Sequence, residues 1–390
     1  MQSDNNTTDV VQEMEVENVT TWALMEEDDW QVLVRRYDIR PLSSAGYMGC
    51  AIYLVIIGSL LPAGLVATTG NTTTLVMFLR NRKLRVKPHN ILILNLAISD
   101  IGISVFGYPL TTSSCFAERY LWGMVGCKIQ GFTTFFLAMA DMYTLTVISV
   151  YRWVAICRPH YNHRLNFSFT VKVVVGVWVA AFITTAPPLV GMSTYIFEPF
   201  GTSCTIDWDD PAPVSVFYIY ALVLVAYIIP VVVMVYCYWK VVARSKSLLK
   251  KVKQSKCKTL SLGEAEEANS TMAECKVTWI SLLMVSVFVV IWSPYTFVCV
   301  WAIYDPDIPM WLNTLPTMCA KSSCMLNPVI FYLTNPLFRA TFRATFSRRR
   351  KILPFLSRTK SRTFKVDRTK DGIYIGESRV TLRQADTTLF

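Results

Sequence analysis

Apolar residues in this chain gather into seven blocks separated by polar stretches of unequal length. The blocks run over about residues 48–79, 89–113, 125–156, 170–192, 213–243, 273–303 and 309–333. Each is long enough to cross a bilayer core as a helix, which takes about 20 residues at 1.5 Å per residue. The pattern predicts an all-α membrane protein, a seven-transmembrane-helix bundle. After the last block, Leu337, Phe338, Phe342 and Phe346 stand among Arg339 and Arg343. That arrangement over 334–346 predicts a short amphipathic helix lying on the membrane surface. The predicted organisation is an acidic tail over 1–47, the bundle over 48–333, the surface helix over 334–346, and a tail over 347–390. This last tail, basic and rich in Ser and Thr, reads as unstructured.

Charge orients the blocks. Glu13, Glu15, Glu17, Glu26, Glu27, Asp28 and Asp29 make the N-terminal tail acidic. Arg80, Arg82, Lys83, Arg85 and Lys87 follow the first block, and Lys246, Lys250, Lys251, Lys253, Lys256 and Lys258 follow the fifth. Basic connectors stay on the cytoplasmic side, so the N-terminus is expected outside the plasma membrane and the C-terminus inside. The sequons at Asn5, Asn6 and Asn18 then become glycosylation sites, whereas Asn71, Asn166 and Asn269 read as chance matches. The net charge of +11 does not point to nucleic acid, because it is confined to connectors and the C-terminal tail. With 53% hydrophobic residues and a mean hydropathy of +0.38, the chain has lipid as its surroundings. The polar N-terminus has no secretory h-region. Eleven cysteines lie mostly in apolar blocks, and the three histidines lack metal-ligand spacing. No internal repeat points to an inverted-repeat transporter.

Lys321 interrupts the seventh block at its midpoint. From Trp311 to Tyr332 the span is about 33 Å long, so the residue lies roughly 15 Å from either surface, beyond the reach of its own stem. An ammonium there costs about 2.5–3.5 kcal/mol on insertion scales. Two readings justify it: a lysine paired with a carboxylate in a polar cavity, or a lysine that holds an aldehyde ligand as an imine.

An ordered set of intramembrane residues narrows the choice. Block one has Asn71; block two has Asn95-Leu96-Ala97 and Asp100; block three has Cys127 and, 25 residues on, Arg152. Trp178, Pro230 with Tyr238, Trp292-Ser293-Pro294-Tyr295 and Asn327-Pro328 follow in blocks four to seven. Together these resemble the rhodopsin-like family of G-protein-coupled receptors across all seven spans. Lys321, six positions before Asn327, matches the retinal-binding lysine of opsins. The stretches DIGIS from Asp100, EPFGTSCTIDW at 198–208 and AKSS around Lys321 are similar to the neuropsin group of non-visual opsins.

The resemblance implies a retinal cofactor, 11-cis or all-trans, on Lys321. It implies a Cys127–Cys204 disulfide and a pocket that includes Trp292, Tyr295, Gln130, Tyr108, Ala138, Met139 and Tyr227. Opsins carry the counter-charge either three residues after the span-three cysteine, which here is Gln130 and cannot ionise, or in the loop before span five, which here is Glu198. Glu198 is therefore the expected counterion. Neuropsins often have a lysine in span two; Phe106-Gly107-Tyr108 stands there instead, which favours a protonated imine and visible absorption. The inner switch comprises Arg152, Glu274, Tyr238, Asn327, Pro328 and Phe331. It departs from the family in Tyr151-Arg152-Trp153, which lacks the acid before the arginine, and in Phe331, which replaces a tyrosine. Arg152 then depends on Glu274. Asp141 lies eleven residues before Arg152 and is expected to face Asp100, so that the two share a proton or hold sodium.

The expected function is light detection through a heterotrimeric G protein, with the inhibitory type favoured by the resemblance. Receptor kinase and arrestin would act on Ser357, Thr359, Ser361 and Thr363. The work is a shift between helix packings, so the chain is not expected to be an enzyme. Two alternatives stand beside it: a retinal photoisomerase or retinoid-binding opsin with weak signalling, and a receptor for a diffusible ligand.

Overall fold

The computed structural model describes residues 46–80, 87–198, 200–255, 262–305, 308–334, 339–340, 343, 364–369 and 372–377. Asn5, Asn6, Asn18, the serines and threonines between 357 and 363 and most of 334–346 lie outside them. The chain divides into two compact units, Met1–Phe342 and Arg343–Phe390.

The first unit is a helix bundle. Its elements are α1 (Gly46–Arg80), α2 (Pro88–Phe106), α3 (Tyr108–Phe116), α4 (Gly123–Cys157), α5 (Phe167–Thr185), the strands β1 (Tyr195–Phe197) and β2 (Cys204–Ile206), α6 (Pro213–Leu222), α7 (Ile229–Ser255), α8 (Leu262–Ala302), α9 (Met310–Lys321) and α10 (Leu326–Thr334). Helical residues Arg339, Ala340 and Arg343 follow. Among the described residues, five helical stretches are long and apolar enough to span a membrane: 88–116, 123–157, 167–185, 213–250 and 271–302. Their outward faces carry apolar side chains such as Val175, Phe182, Val232, Val290 and Phe297. Many hydroxyls along the spans bond back to the carbonyl four residues earlier, as Thr73, Ser99, Thr144 and Ser149 do, which satisfies these donors within their own helix.

α4 runs through the middle and packs against α2, α5, α7, α8 and both strands. The remaining spans are bent where the sequence removes a backbone donor. Span two breaks at Gly107, where a Cβ would stand 2.7 Å from the Ile103 carbonyl oxygen, and Pro109 opens the next helix. Span five has a π turn over Val223–Ile228, just before Pro230. In span seven a 3-10 turn, Ser322–Met325, starts directly after Lys321 and separates α9 from α10. Asn71 of α1 donates to the Cys324 carbonyl of that turn at 3.0 Å, which ties the first span to the last.

Several boundaries differ from the hydropathy reading. Span four ends at Thr185, because Pro187-Pro188 force a 3-10 turn. It begins at Phe167, where the Asn166 side chain caps the helix by accepting from the Phe169 N–H at 2.9 Å. α7 continues to Ser255 and α8 starts at Leu262, so both helices extend past the apolar blocks in polar residues that hydropathy does not register. In the second unit, Phe364–Thr369 and Gly372–Glu377 form an antiparallel hairpin with Thr369 opposite Gly372. This corrects the expectation of an unstructured tail. The overlooked signal is the pair of alternating runs, 364–369 and 372–377, set two residues apart.

Candidate functional site

The site is built where span seven, span three and a loop hairpin meet. β1 and β2 pair antiparallel with Phe197 opposite Cys204. Glu198 and Ser203 close the hairpin: the Glu198 N–H donates to the Ser203 carbonyl at 2.8 Å, and the Gly201 N–H donates to the Glu198 carbonyl at 2.7 Å. Gly201 has φ 63°, a conformation that glycine adopts without strain. The Cys127–Cys204 disulfide joins β2 to α4 and holds the hairpin against the bundle.

Lys321 meets that hairpin. Its Nζ donates to Glu198 Oε1 in a short ion pair, and to Ser203 Oγ at 2.5 Å. The two charged side chains retain 23% and 12% of their exposure, so the pair is largely withdrawn from water. Tyr108, at the start of α3, donates to the Lys321 carbonyl at 3.1 Å.

A cavity opens beside Lys321. Gln130, Tyr108, Ala138, Trp292 and Tyr295 line it. A second cavity shares Phe135, Trp292 and Tyr295 with the first and is lined by Met139 and Tyr227. The shared wall is aromatic. Trp292 stacks on Phe288 at 5.4 Å and meets Tyr295 edge-on at 5.8 Å. Trp208 meets the other side of Tyr295 at 5.8 Å. The polar tips are tied down: Trp292 Nε1 donates to Ser323 Oγ at 3.2 Å, and the Tyr295 and Thr205 hydroxyls lie 3.1 Å apart. Sequence reading missed Ser203, Thr205, Trp208 and Ser323. A signal was available for three of them, since they flank the cysteine that pins the loop.

At the opposite end of α4, Arg152 Nη1 donates to Glu274 Oε2 at 3.1 Å. Arg152 is 7% exposed and Glu274 54%, so this pair faces solvent on one side. Tyr151, standing where the family has an acid, turns to span four and donates to Thr170 Oγ1 at 3.1 Å. Tyr238 and Phe331 are buried. Asn327 donates to Asp100 Oδ2 at 2.9 Å, and Pro328 packs so closely on Gly70 that a Cβ there would stand 2.4 Å from the ring. Asp141 lies within hydrogen-bonding reach of Asp100 and Ser99. One oxygen of each carboxyl, Asp100 Oδ1 and Asp141 Oδ1, is buried without a conventional donor. Outside the spans, burial together with Asp209 and Asp210 pushes the Asp207 carboxyl up to about 7.

Residues 70–331 match the family model of the 7 transmembrane receptor (rhodopsin family). The chain belongs to the rhodopsin-like receptors, among the opsins. It is 36% identical to human Opsin-5 over 291 residues, covering 73% of this chain and 78% of that protein. It is 32% identical to the human visual pigment-like receptor peropsin, covering 74% of this chain and 82% of that protein. Among solved structures, squid rhodopsin superposes with a TM-score of 0.69 at 25% identity, covering 84% of this chain and 91% of that one. This opsin is a light-sensing receptor of the neuropsin group and a multi-pass membrane protein. Its family works through heterotrimeric G proteins and a retinal chromophore.

Proposed function

We propose that this opsin holds retinal covalently on Lys321 and signals light to a heterotrimeric G protein. The observation that carries the reading is the Lys321 nitrogen, set at the mouth of an aromatic cavity and paired with Glu198. The residues fit such a ligand. The two adjoining cavities have apolar walls and a single amine, and their combined length runs from Lys321 to Tyr227. Retinal, when bound, supplies a light-driven change of shape.

The chain's own residues do the rest. Lys321 provides the nitrogen, and Glu198 provides the negative charge that keeps a proton on it. Trp292, anchored to Ser323, stands between the cavities, two residues before Pro294 in α8. Displacement of its ring is felt where the helix already lacks a backbone donor. Movement of α8 then separates Glu274 from Arg152 and opens the inner face to the G protein, in which the inhibitory class is favoured. In this reading 48–333 is the retinal-binding bundle, with 1–47 outside the cell, 334–346 on the membrane surface and 347–390 in the cytoplasm as a substrate for receptor kinase and arrestin. Asp100 and Asp141 share a proton or hold sodium.

A second reading, retinal isomerisation with weak signalling, is favoured by one observation: Arg152 has no acidic neighbour in sequence, and Tyr151 is engaged with Thr170. Two measurements test the proposal. Borohydride reduction of the retinal-loaded protein is expected to leave an adduct on the Lys321 peptide; no adduct, or one elsewhere, overturns covalent binding. Light-driven nucleotide exchange on a purified G protein separates signalling from isomerisation, and its absence would favour the second reading.

A further inference from the structure

The Lys321 nitrogen has a second partner, Ser203, and behind Ser203 stands a line of neutral groups. Thr111 Oγ1 donates to Ser203 Oγ at 3.3 Å. Gln130 Nε2 donates to Thr111 Oγ1 at 2.8 Å and to the Gly107 carbonyl at 3.1 Å. Tyr120 donates its hydroxyl to Gln130 Oε1 at 2.7 Å. Tyr120, Gln130, Thr111 and Ser203 are all buried.

The donors and acceptors permit one direction only. The Gly107 carbonyl can only accept, so it fixes which end of the Gln130 amide is NH₂, and the amide oxygen at the other end takes the Tyr120 hydrogen. That NH₂ occupies a lone pair of Thr111, whose own hydrogen is then directed to Ser203. Ser203 Oγ accepts twice, from Thr111 and from Lys321, so its two lone pairs are filled. The line therefore holds the Ser203 oxygen in place from behind, with one lone pair taken by Thr111 and the other facing the Lys321 nitrogen.

We infer that Gln130 is a positioning residue for the Lys321 proton: held by Tyr120, it fixes the hydroxyls of Thr111 and Ser203 so that a Ser203 lone pair stays on the Lys321 N–H. The position that cannot supply a counter-charge therefore acts through three hydrogen bonds. The inference rests on retinal being held by Lys321.

The test is a spectroscopic acid–base titration of the purified retinal-loaded pigment. Ser203→Ala is expected to lower the midpoint of the visible-to-ultraviolet conversion by about one to two pH units, the effect of one lost bond to a charge. Tyr120→Phe, which removes a single oxygen, and Gln130→Leu should lower it by about half a unit to one unit. The double variant Ser203→Ala/Gln130→Leu should shift no further than Ser203→Ala alone, because the influence of Gln130 passes through Ser203. A purely packing role predicts additive shifts or none, and either result overturns the inference. Borohydride trapping on Lys321 is run on every sample. Absence of the adduct in the unaltered protein is a failure of covalent retinal binding, whereas an adduct with unmoved midpoints is a failure of the relay alone. If Gln130→Leu does not form pigment, Tyr120→Phe with and without Ser203→Ala decides by the same additivity criterion.

Discussion

Removing the charge of Glu198 while keeping its shape is the sharpest perturbation of the site. Glu198→Gln leaves a hydrogen-bonding side chain in the same turn of the hairpin but deletes the partner of Lys321. Two unit charges about 3 Å apart at an effective dielectric of 20 attract by roughly 5 kcal/mol. The remaining exposure of 23% and 12% admits some water, and the amide oxygen retains one bond, so part of this is recovered. A net loss of about 3–5 kcal/mol is expected, in line with removing one partner of a buried pair. At 1.36 kcal/mol per pH unit, the acid–base midpoint of the pigment spectrum should fall by about 2–4 units. The assay is a titration of purified, retinal-loaded protein followed at the visible and near-ultraviolet bands. The variant should lie in the ultraviolet form at neutral pH and return to the visible form on acidification. A midpoint within about half a unit of the unaltered protein would show that Glu198 is not the counter-charge and that the short contact with Lys321 has no electrostatic role.

Other outcomes follow from features remote from the cavity. Glu274→Gln should raise dark nucleotide exchange by about two- to fivefold, because a pair with a half-exposed carboxylate contributes only about 0.5–1 kcal/mol; an unchanged rate would remove Glu274 from the latch. Gly70→Ala should lower the thermal midpoint of the detergent-solubilised protein, costing about 1–3 kcal/mol by overpacking against Pro328. Asp207 gives a pH dependence of stability. Its folded value near 7 lies above the unfolded value near 3.8, so the folded state binds the proton more tightly in between. Stability is then full at the acid end and declines as pH rises from about 4 to about 7; Asp207→Asn should flatten that slope in a thermal-shift series.

The apolar blocks revealed the bundle because lipid demands long uninterrupted hydrophobic helices, and that demand is written along the chain itself. What hydropathy could not locate was everything outside lipid. The polar extensions of α7 and α8 are helical but look like connector in the sequence. The break at Gly107 and the π turn before Pro230 are single-residue adjustments within apolar text. Lys321 stood out alone, by its cost. Its partner did not: Glu198 is 123 residues away, and only the disulfide-pinned loop of a known receptor family suggested that they meet. Thr111 and Tyr120 gave no sign, because a hydroxyl becomes informative only when its neighbours in space are known. The unusual Tyr151 was legible as a missing acid, but its engagement with Thr170 was not.

The negative charge opposite Lys321 rides on a hairpin, not on a helix of the bundle. A residue inside the bundle packs against several spans at once, so altering it disturbs them all. The hairpin is stitched to α4 at Cys204, meets α8 where Thr205 faces Tyr295, and closes upon itself through Glu198 and Ser203. A substitution at Glu198 changes the charge facing Lys321 without altering any residue of the spans. Under the proposed function, colour and signalling thus become separately heritable traits: a lineage could drift through different wavelengths by rewriting a few loop codons while the Arg152–Glu274 pair, at the far end of α4, stays as it is.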